Sequence, residues 1–229
     1  MSTPLKTLTL HGHRPSPNPV KVLILLNELS LPYTIDPIPF SEVKSPAFLA
    51  VNPNGRVPAL HDPNTGLTIW ESGAIIEYLV DRYDTARRIS FEPGTPDFYL
   101  AKQWLHFQMS GQGPYYGQMS WFIKFHTEKV PSAIERYVKE VNRVTSVLEG
   151  WLEKQAVGSG AEGSDGPWLV GGKMSYVDLA FVPWQRLPPL FVGAEDFDPE
   201  KFPFVKAWLG RMLEREGVKV GVEGEKESA

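Results

Sequence analysis

The sequence has no cysteine among its 229 residues. This absence excludes disulfide bonds, thiolate metal sites and any mechanism in which the protein itself supplies a sulfur nucleophile. An excess of basic charge is also lacking, because 23 Lys and Arg residues stand against 27 Asp and Glu residues, for a net charge of -4. We therefore expect neither nucleic acid nor an anionic membrane surface as a partner.

Long apolar runs are missing too. The amino-terminal segment has no continuous apolar core of the signal-peptide kind, and the richest apolar run, Val20–Leu31, is interrupted by Lys21, Asn27 and Glu28. These features predict a soluble, cytoplasmic protein. The 42% of apolar residues still suffices for a substantial core.

The first part of the chain alternates strand and helix patterns. Leu5–His11 predicts a strand, and the apolar segment after it predicts a core helix with Asn18 as N-cap and Pro19 as first residue. A second strand, a short helix, a hairpin and a closing helix at 72–83 follow. This order predicts an α/β domain over residues 1–84, in which helices cover a mixed sheet.

Strand patterns vanish in the second part. After a linker predicted at 85–94, apolar residues recur at helical spacing. Helices are predicted at 97–125, 132–155, 175–186 and 201–216. A Gly- and Ser-rich loop at 157–166 and the polar final segment 221–229 are expected to be flexible. Residues 95–229 are thus predicted to form an all-α domain with a frayed tail.

Glu71 and Ser72 open the closing helix of the first domain. Backbone N–H groups at a helix start attract a carboxylate, the Ser72 hydroxyl adds a donor, and Glu71 offers a negative charge for an ammonium group. The two residues would suit an α-amino acid head group, which carries both charges. Ser72 is also explained as an ordinary N-cap.

The dipeptide Val57–Pro58 lies in an otherwise strand-like stretch. A cis bond here would turn the Val57 N–H and C=O outward, where they could pair with an extended peptide ligand. A trans proline on an edge strand is the alternative.

Ser16 and Asn18 come just before the first predicted helix. Their uncharged donor groups, together with the positive end of the helix, could stabilise a bound thiolate. Turn and capping chemistry explains both residues as well.

Three further patterns have structural explanations. Ser175 and Asp178 have the spacing of a capping box, which is favoured over a catalytic role for Asp178. His11 and His13 lack a third ligand nearby, so no metal site is predicted. The aromatic residues around 110–117 either pack in the core or, where Gly and Pro open the helix, line an apolar cleft.

Three segments carry a resemblance to a known family. In order along the chain, NPNGRVPAL, IWESGAIIEYL and WLVGGKMSYVDLAFVPW resemble the cytosolic glutathione transferases, and the likeness extends from about Leu5 to Gly217. SPNPVKVLILLNEL, FQMSGQGPYYGQ and AIERYVKEVNRV look most like the fungal subgroup related to the yeast nitrogen-regulation prion protein and like the bacterial Nu class. The resemblance implies a thioredoxin-like N-terminal domain, an all-α C-terminal domain, a homodimer, and glutathione as co-substrate without a metal.

The resemblance also implies roles for the residues of the first domain. Pro58 would be cis, and Val57 would pair its backbone with the cysteinyl part of glutathione. Glu71 and Ser72 would hold the γ-glutamyl amino and carboxylate groups. These contacts would grip the tripeptide at one end and along its middle.

The sulfur and the glycyl end are assigned in the same way. Asn18 would approach the glutathione sulfur with Ser16 close to it, and Lys44 and Arg56 are candidates for the glycyl carboxylate. The catalytic Tyr of several classes is absent from the first loop, HGHRPSPN, so a neutral donor would activate the thiol. The expected electrophile cleft is lined by Ser110, Gln112 and Tyr115.

The function implied is a glutathione transferase that activates the glutathione thiol for attack on an apolar electrophile, as in detoxification. One alternative is reduction of disulfides with two glutathiones, as in Nu-like relatives, which needs no protein cysteine. A second alternative is a non-catalytic, glutathione-binding regulatory protein. A biosynthetic role in secondary metabolism is a third.

Overall fold

The computed structural model describes residues 4–13, 16–158 and 166–223. These residues separate into two compact units. The N-terminal unit contains the chain up to Arg88 together with the segment that begins at Glu214, and the helical unit is Ile89–Leu213. The boundary between Arg88 and Ile89 falls inside the linker predicted at 85–94.

The described residues form four strands and nine α-helices. The strands are β1 (Leu8–Gly12), β2 (Tyr33–Pro37), β3 (Ala59–Asp62) and β4 (Leu67–Trp70). The helices are α1 (Pro17–Glu28), α2 (Pro46–Val51), α3 (Ser72–Tyr83), α4 (Pro96–Phe107), α5 (Gly113–Lys124), α6 (Pro131–Gly158), α7 (Tyr176–Gln185), α8 (Pro203–Leu213) and α9 (Glu216–Glu223). No helix in this part of the chain is long and apolar enough to span a membrane.

A single four-stranded sheet organises the N-terminal unit. Its strand order is β2-β1-β3-β4, with β1 and β2 parallel and the other neighbours antiparallel. Parallel strands need a crossover connection, which α1 supplies between β1 and β2. Leu8 and Leu10 are fully buried on one face of β1, as their alternation predicts. The thioredoxin-like α/β fold is confirmed.

Helix α1 begins two residues earlier than its sequence suggests. Ser16 is the N-cap, with extended backbone, and its carbonyl accepts the first helical hydrogen bond from the N–H of Val20. Asn18 therefore lies in the first turn, and its prediction as N-cap is wrong. Pro17 and Pro19 are both tolerated because N–H groups in the first turn have no partner within the helix.

The end of the chain returns to the N-terminal unit. Helix α9 packs on α1, where Gly221 lies against Ile24, and the Arg215 guanidinium bonds both carboxylate oxygens of Glu28 at 2.9 and 2.7 Å. The prediction assigned all of 95–229 to the second domain and treated 221–229 as a frayed tail. Residues 221–223 are instead the last turn of α9, while 224–229 lie outside the described residues.

The helical unit has an apolar core that includes Trp104, Phe181 and Trp208. Ser175 and Asp178 form a capping box at the start of α7, as predicted from their spacing. The buried Asp178 carboxylate also accepts hydrogen bonds from the Leu169 N–H and the Trp208 indole. Burial raises the pKa of Asp178, and these donors partly oppose that rise. Most of the loop predicted at 157–166 lies outside the described residues.

A π-helical segment, Gln108–Gln112, joins α4 to α5 in place of the continuous helix predicted at 97–125. The Gly113 N–H donates to the Gln108 carbonyl, five residues back. Pro114 has no N–H to donate to the Ser110 carbonyl, and its ring disfavours ordinary α-helical pairing at this point. The wider π turn accommodates the interruption.

Candidate functional site

Helix α3 of the N-terminal unit begins in an unusual backbone conformation. Its N-cap, Glu71, has a φ of 72° and a ψ of 117°, a region that a residue with a Cβ rarely adopts. Such a conformation costs on the order of 1–3 kcal/mol and is retained mainly at functional sites. Glu71 is exposed and accepts a hydrogen bond from the Asn54 side chain, whereas Ser72 is buried.

The loop before β3 is held by a buried asparagine. The Asn52 side chain donates to the Arg56 carbonyl at 2.6 Å and accepts from the Asn54 N–H at 3.0 Å. Gly55 follows with a φ of 58°, and a Cβ there would meet the Val43 carbonyl oxygen at 2.6 Å. Only glycine fits this turn without displacing backbone.

The peptide bond between Val57 and Pro58 is cis, as the resemblance implies. Pro58 is buried, and Val57 is half-buried beside the start of β3.

These elements meet around a cleft of about 100 Å³ in the N-terminal unit. Its lining contains five residues predicted from the sequence as ligand contacts, together with Pro58 and two asparagines that the prediction missed. The lining residues are Asn18, Asn52, Asn54, Arg56, Val57, Pro58, Glu71 and Ser72. The signal for the two asparagines was present in the turn-forming sequence NPNG.

The cleft carries both signs of charge. Arg56 is exposed on its rim and Glu71 is exposed at the α3 N-cap. Asn18, in the first turn of α1, brings an uncharged amide donor to the same cleft. The positive end of the α3 dipole also favours an anion there. The arrangement suits a ligand with an ammonium group and carboxylates close together.

A buried lysine lies beneath the start of α3. Lys21, on α1, is 1% exposed, and its Nζ donates to the Ser72 Oγ at 3.1 Å. Burial lowers the Lys21 pKa to about 7, and the Glu71 carboxylate opposes the shift. Sequence reasoning noted Lys21 only as an interruption of an apolar run. A lysine inside an apolar helical run was the sequence signal for a buried side chain with a polar partner.

Two of the predicted residues do not line the cleft. Lys44 is exposed and its Nζ donates to the Asn54 carbonyl at 2.7 Å, which supports the loop before β3. Ser16 is half-buried at the α1 N-cap, two residues before Asn18. Their roles toward a ligand stay predictions.

The residues predicted to line an electrophile cleft have three different environments in the helical unit. Ser110 is exposed, and Tyr115 is half-buried with its ring 6.4 Å from that of Tyr137. Gln112 is fully buried. Its side chain bonds those of Gln108 and Gln185, so we reassign Gln112 from the cleft to the core.

The buried amides continue into a polar network beneath the π-helical segment. The Tyr116 hydroxyl hydrogen-bonds Gln185 and Thr145 at 3.1 and 2.8 Å. Burial raises the pKa of Tyr116, so its hydroxyl is neutral at physiological pH. The network satisfies polar groups at the break between α4 and α5 and fixes the shape of that break.

The histidine and acidic side chains of the described residues do not gather into a set of metal ligands. No group of three or more His, Cys, Asp or Glu side chains within them is placed to hold a metal ion. His11 bonds Asp36 and His13 bonds the Ile38 carbonyl, so the two histidines have separate partners.

Comparison with protein families gives two matches, one in each half of the chain. The model described as the N-terminal domain of glutathione S-transferase matches residues 15–82, which include all eight lining residues. The model described as the C-terminal domain of glutathione S-transferase matches residues 113–216.

Individual proteins and solved structures agree with this result. The glutathione S-transferase-like protein tpcF of Aspergillus fumigatus is 57% identical over 95% of this chain and 96% of its own. The glutathione transferase URE2P8 of Phanerochaete chrysosporium, solved with oxidized glutathione, superimposes with a TM-score of 0.86 at 45% identity, covering 96% of this chain and 95% of its own. Ure2p in complex with S-hexylglutathione gives a TM-score of 0.87 at 38% identity, covering 96% of this chain and 100% of its own.

Proposed function

The chain belongs to the glutathione transferase family, and from that premise we propose that it binds glutathione in the cleft lined by Asn18 and Ser72 and activates the glutathione thiol for attack on an apolar electrophile. The observation that carries the proposal is the convergence of Asn18, Val57, Glu71 and Ser72 on one cleft. Solved relatives bind oxidized glutathione and S-hexylglutathione.

The charges of the cleft support an orientation for the tripeptide. Glu71 would receive the γ-glutamyl ammonium, because it is exposed and already positioned by Asn54. Ser72 and the start of α3 would receive the γ-glutamyl carboxylate. Arg56 on the rim would pair with the glycyl carboxylate.

Activation of the thiol would depend on Asn18. Its amide is an uncharged donor in the first turn of α1, so the helix dipole and a hydrogen bond would favour the thiolate together. No protein group needs to form a covalent bond, since the glutathione sulfur is itself the nucleophile. Ser16 would assist as a neighbouring donor, and Ser110 and Tyr115 would contact the electrophile.

Two substitutions test the proposal. Asn18→Ala should lower turnover of a chlorinated nitrobenzene about ten-fold, which corresponds to roughly 1.4 kcal/mol of lost thiolate stabilisation, with little change in glutathione affinity. Ser72→Ala should instead weaken glutathione affinity measured by calorimetry. Ser146→Ala is the matched control, because that hydroxyl is exposed and donates to the Asn142 carbonyl within α6. Unchanged turnover in Asn18→Ala would refute the assigned role of Asn18.

Disulfide reduction with two glutathiones is a second candidate. It needs no protein cysteine, in agreement with the composition of the chain, and it is favoured by the oxidized glutathione bound to the URE2P8 relative. Turnover of hydroxyethyl disulfide in parallel with the chlorinated nitrobenzene separates the two reactions. Glutathione binding with negligible turnover of both would identify a binding or regulatory protein.

We also propose that the protein acts as a cytoplasmic homodimer in detoxification. Family resemblance supports the dimer. Light scattering of the purified protein would measure its mass, and a monomer at micromolar concentration would contradict this part of the proposal.

A further inference from the structure

A lysine with no assigned role lies directly behind the proposed carboxylate position. Lys21 opens the second turn of α1 and is only 1% exposed. Apolar residues surround it in sequence, since Val20 and Val22 are also buried. A buried ammonium group is costly unless it has partners, so a lysine here calls for a specific explanation.

The contact between Lys21 and Ser72 supplies that explanation. The Lys21 Nζ donates to the Ser72 Oγ at 3.1 Å, so the oxygen of Ser72 acts as an acceptor on its buried side. A hydroxyl that accepts from one side keeps its single proton for an acceptor elsewhere. Ser72 also lines the cleft, where a ligand carboxylate is such an acceptor.

We propose that Lys21 is a positioning residue for the γ-glutamyl carboxylate of glutathione, and that binding of this carboxylate is coupled to uptake of a proton at Lys21. This inference rests on the proposed function and deepens it. Lys21 acts through Ser72 and provides the buried positive charge that complements the ligand anion.

The electrostatics of the free protein agree with this coupling. Burial lowers the Lys21 pKa to about 7, so the side chain is largely neutral at about pH 8 before the ligand arrives. A carboxylate bound at Ser72 raises that pKa, because an anion at short range favours the ammonium form. The bound state therefore holds more protons than the free state above neutral pH, and glutathione affinity falls as pH rises through this range.

Among the charged groups near α1, Glu71 has an electrostatic effect on Lys21. Glu71 raises the Lys21 pKa but does not restore it to its ordinary value. On α9, Arg215 is paired with Glu28, and on β1, His11 is paired with Asp36. The other titratable groups on the elements that pack against α1 are Glu77, Tyr78, Asp81, Arg82 and Tyr83 on α3, and Glu216, Lys219 and Glu223 on α9.

Calorimetry with S-hexylglutathione tests the coupling, because this probe has no free thiol to titrate. Binding is measured at about pH 6 and about pH 8, in buffers of different ionisation enthalpy, for the wild type, Lys21→Met and Lys6→Met. Lys6 is an exposed lysine of the same unit and provides the matched control. The amino group of the probe is titrated separately so that its own protons are subtracted.

The wild type and Lys6→Met should take up more than about half a proton per ligand at pH 8 and close to none at pH 6. Lys21→Met should take up none at either pH and bind about ten-fold more weakly at pH 6. Thermal unfolding of each variant is measured alongside, because Lys21→Met leaves the buried Ser72 oxygen without its Lys21 donor. A merely structural lysine would leave the proton count unchanged between Lys21→Met and the wild type.

The outcomes separate this inference from the proposed function. If the wild type binds the probe but takes up no proton at pH 8, the inference is wrong while the proposed function stands, whether or not Lys21→Met folds. Equal affinity and equal proton uptake in Lys21→Met and wild type would also overturn it. If the wild type does not bind S-hexylglutathione at all, the proposed function itself is refuted.

Discussion

The contact between α9 and α1 leads to a prediction in which two glycine-to-alanine substitutions have opposite effects on the stability of the protein. Gly221 in α9 lies against the backbone of α1, where a Cβ would be 2.9 Å from the Ile24 nitrogen and 3.0 Å from its Cα. Gly150 in α6 has no atom within 4 Å of the corresponding position. We therefore expect Gly221→Ala to destabilise the protein and Gly150→Ala to stabilise it.

The magnitudes follow from packing and helix propensity. Alanine is favoured over glycine within a helix by about 0.8–1 kcal/mol, and Gly150→Ala should gain most of this. At Gly221 the same gain is opposed by overpacking, which costs about 1–3 kcal/mol, because backbone atoms cannot rotate away. If α9 instead detaches, the buried Val218 is exposed, at a cost of about 1.5–3 kcal/mol. The net loss at Gly221 should therefore be up to about 2 kcal/mol.

Scanning calorimetry measures both variants against the wild type. A change of about 1 kcal/mol shifts Tm by roughly 2–4 °C for a protein of this size. Gly221→Ala should also increase hydrogen exchange in α1, which carries Asn18 and Lys21, and weaken glutathione binding. If the two variants were stabilised equally, the close approach of α9 to α1 would be refuted.

Three further substitutions test other buried polar contacts. Asp178→Ala should lower the free energy of unfolding by about 3 kcal/mol or more, because four donors lose their acceptor, and denaturant titration would measure this. Arg215→Met should lower the free energy of unfolding by about 1–2 kcal/mol. This is less than for a fully buried ion pair, because the Arg215 side chain is 39% exposed while that of Glu28 is 5% exposed. An unchanged melting temperature would contradict this prediction. Burial acts to raise the Asp62 pKa, but hydrogen bonds, including that from Tyr83, lower it below its ordinary 3.8. The ionised Asp62 carboxylate therefore stabilises the fold above the ordinary pKa, and this stabilisation is lost as the pH falls through the lowered pKa. Tyr83→Phe should therefore cost about 1.5 kcal/mol at neutral pH, and this deficit should shrink in acid; a deficit independent of pH would refute the role of the Asp62 charge.

Local patterns predicted the fold well where one face of an element is buried. The alternation in β1 and the apolar stripe of α3 identify their core faces, because periodicities of two and 3.6 residues follow from backbone geometry alone. The start of α1 was misplaced because two prolines, Pro17 and Pro19, are both compatible with a first turn. Helix α9 was missed because its last residues are polar and its contact with α1 depends on glycine at 221.

The candidate site was predicted in part. The chemistry of three side chains predicts a zwitterionic ligand with a thiol: Glu71 and Ser72 suit its charged head group, and Asn18 suits its thiolate. A cis bond between Val57 and Pro58 predicts backbone pairing with an extended peptide. Lys21 was not predicted, because a lysine in an amphipathic pattern is usually solvated. Gln112 was misassigned, because an amide near Gly and Pro is explained equally well by a cleft and by a buried network.

By itself, the sequence determined the backbone period of elements with one buried face, the capping box at the start of α7 and which chemical groups are available, since these depend on neighbouring residues. It also excluded a protein thiol as nucleophile. Only the tertiary structure decided which of those groups meet: Asn18, Val57 and Ser72 come from distant segments, and Lys21 lies behind Ser72 because α1 packs on α3. Burial then set the Lys21 pKa, because desolvation depends on every neighbouring element and not on the residue type.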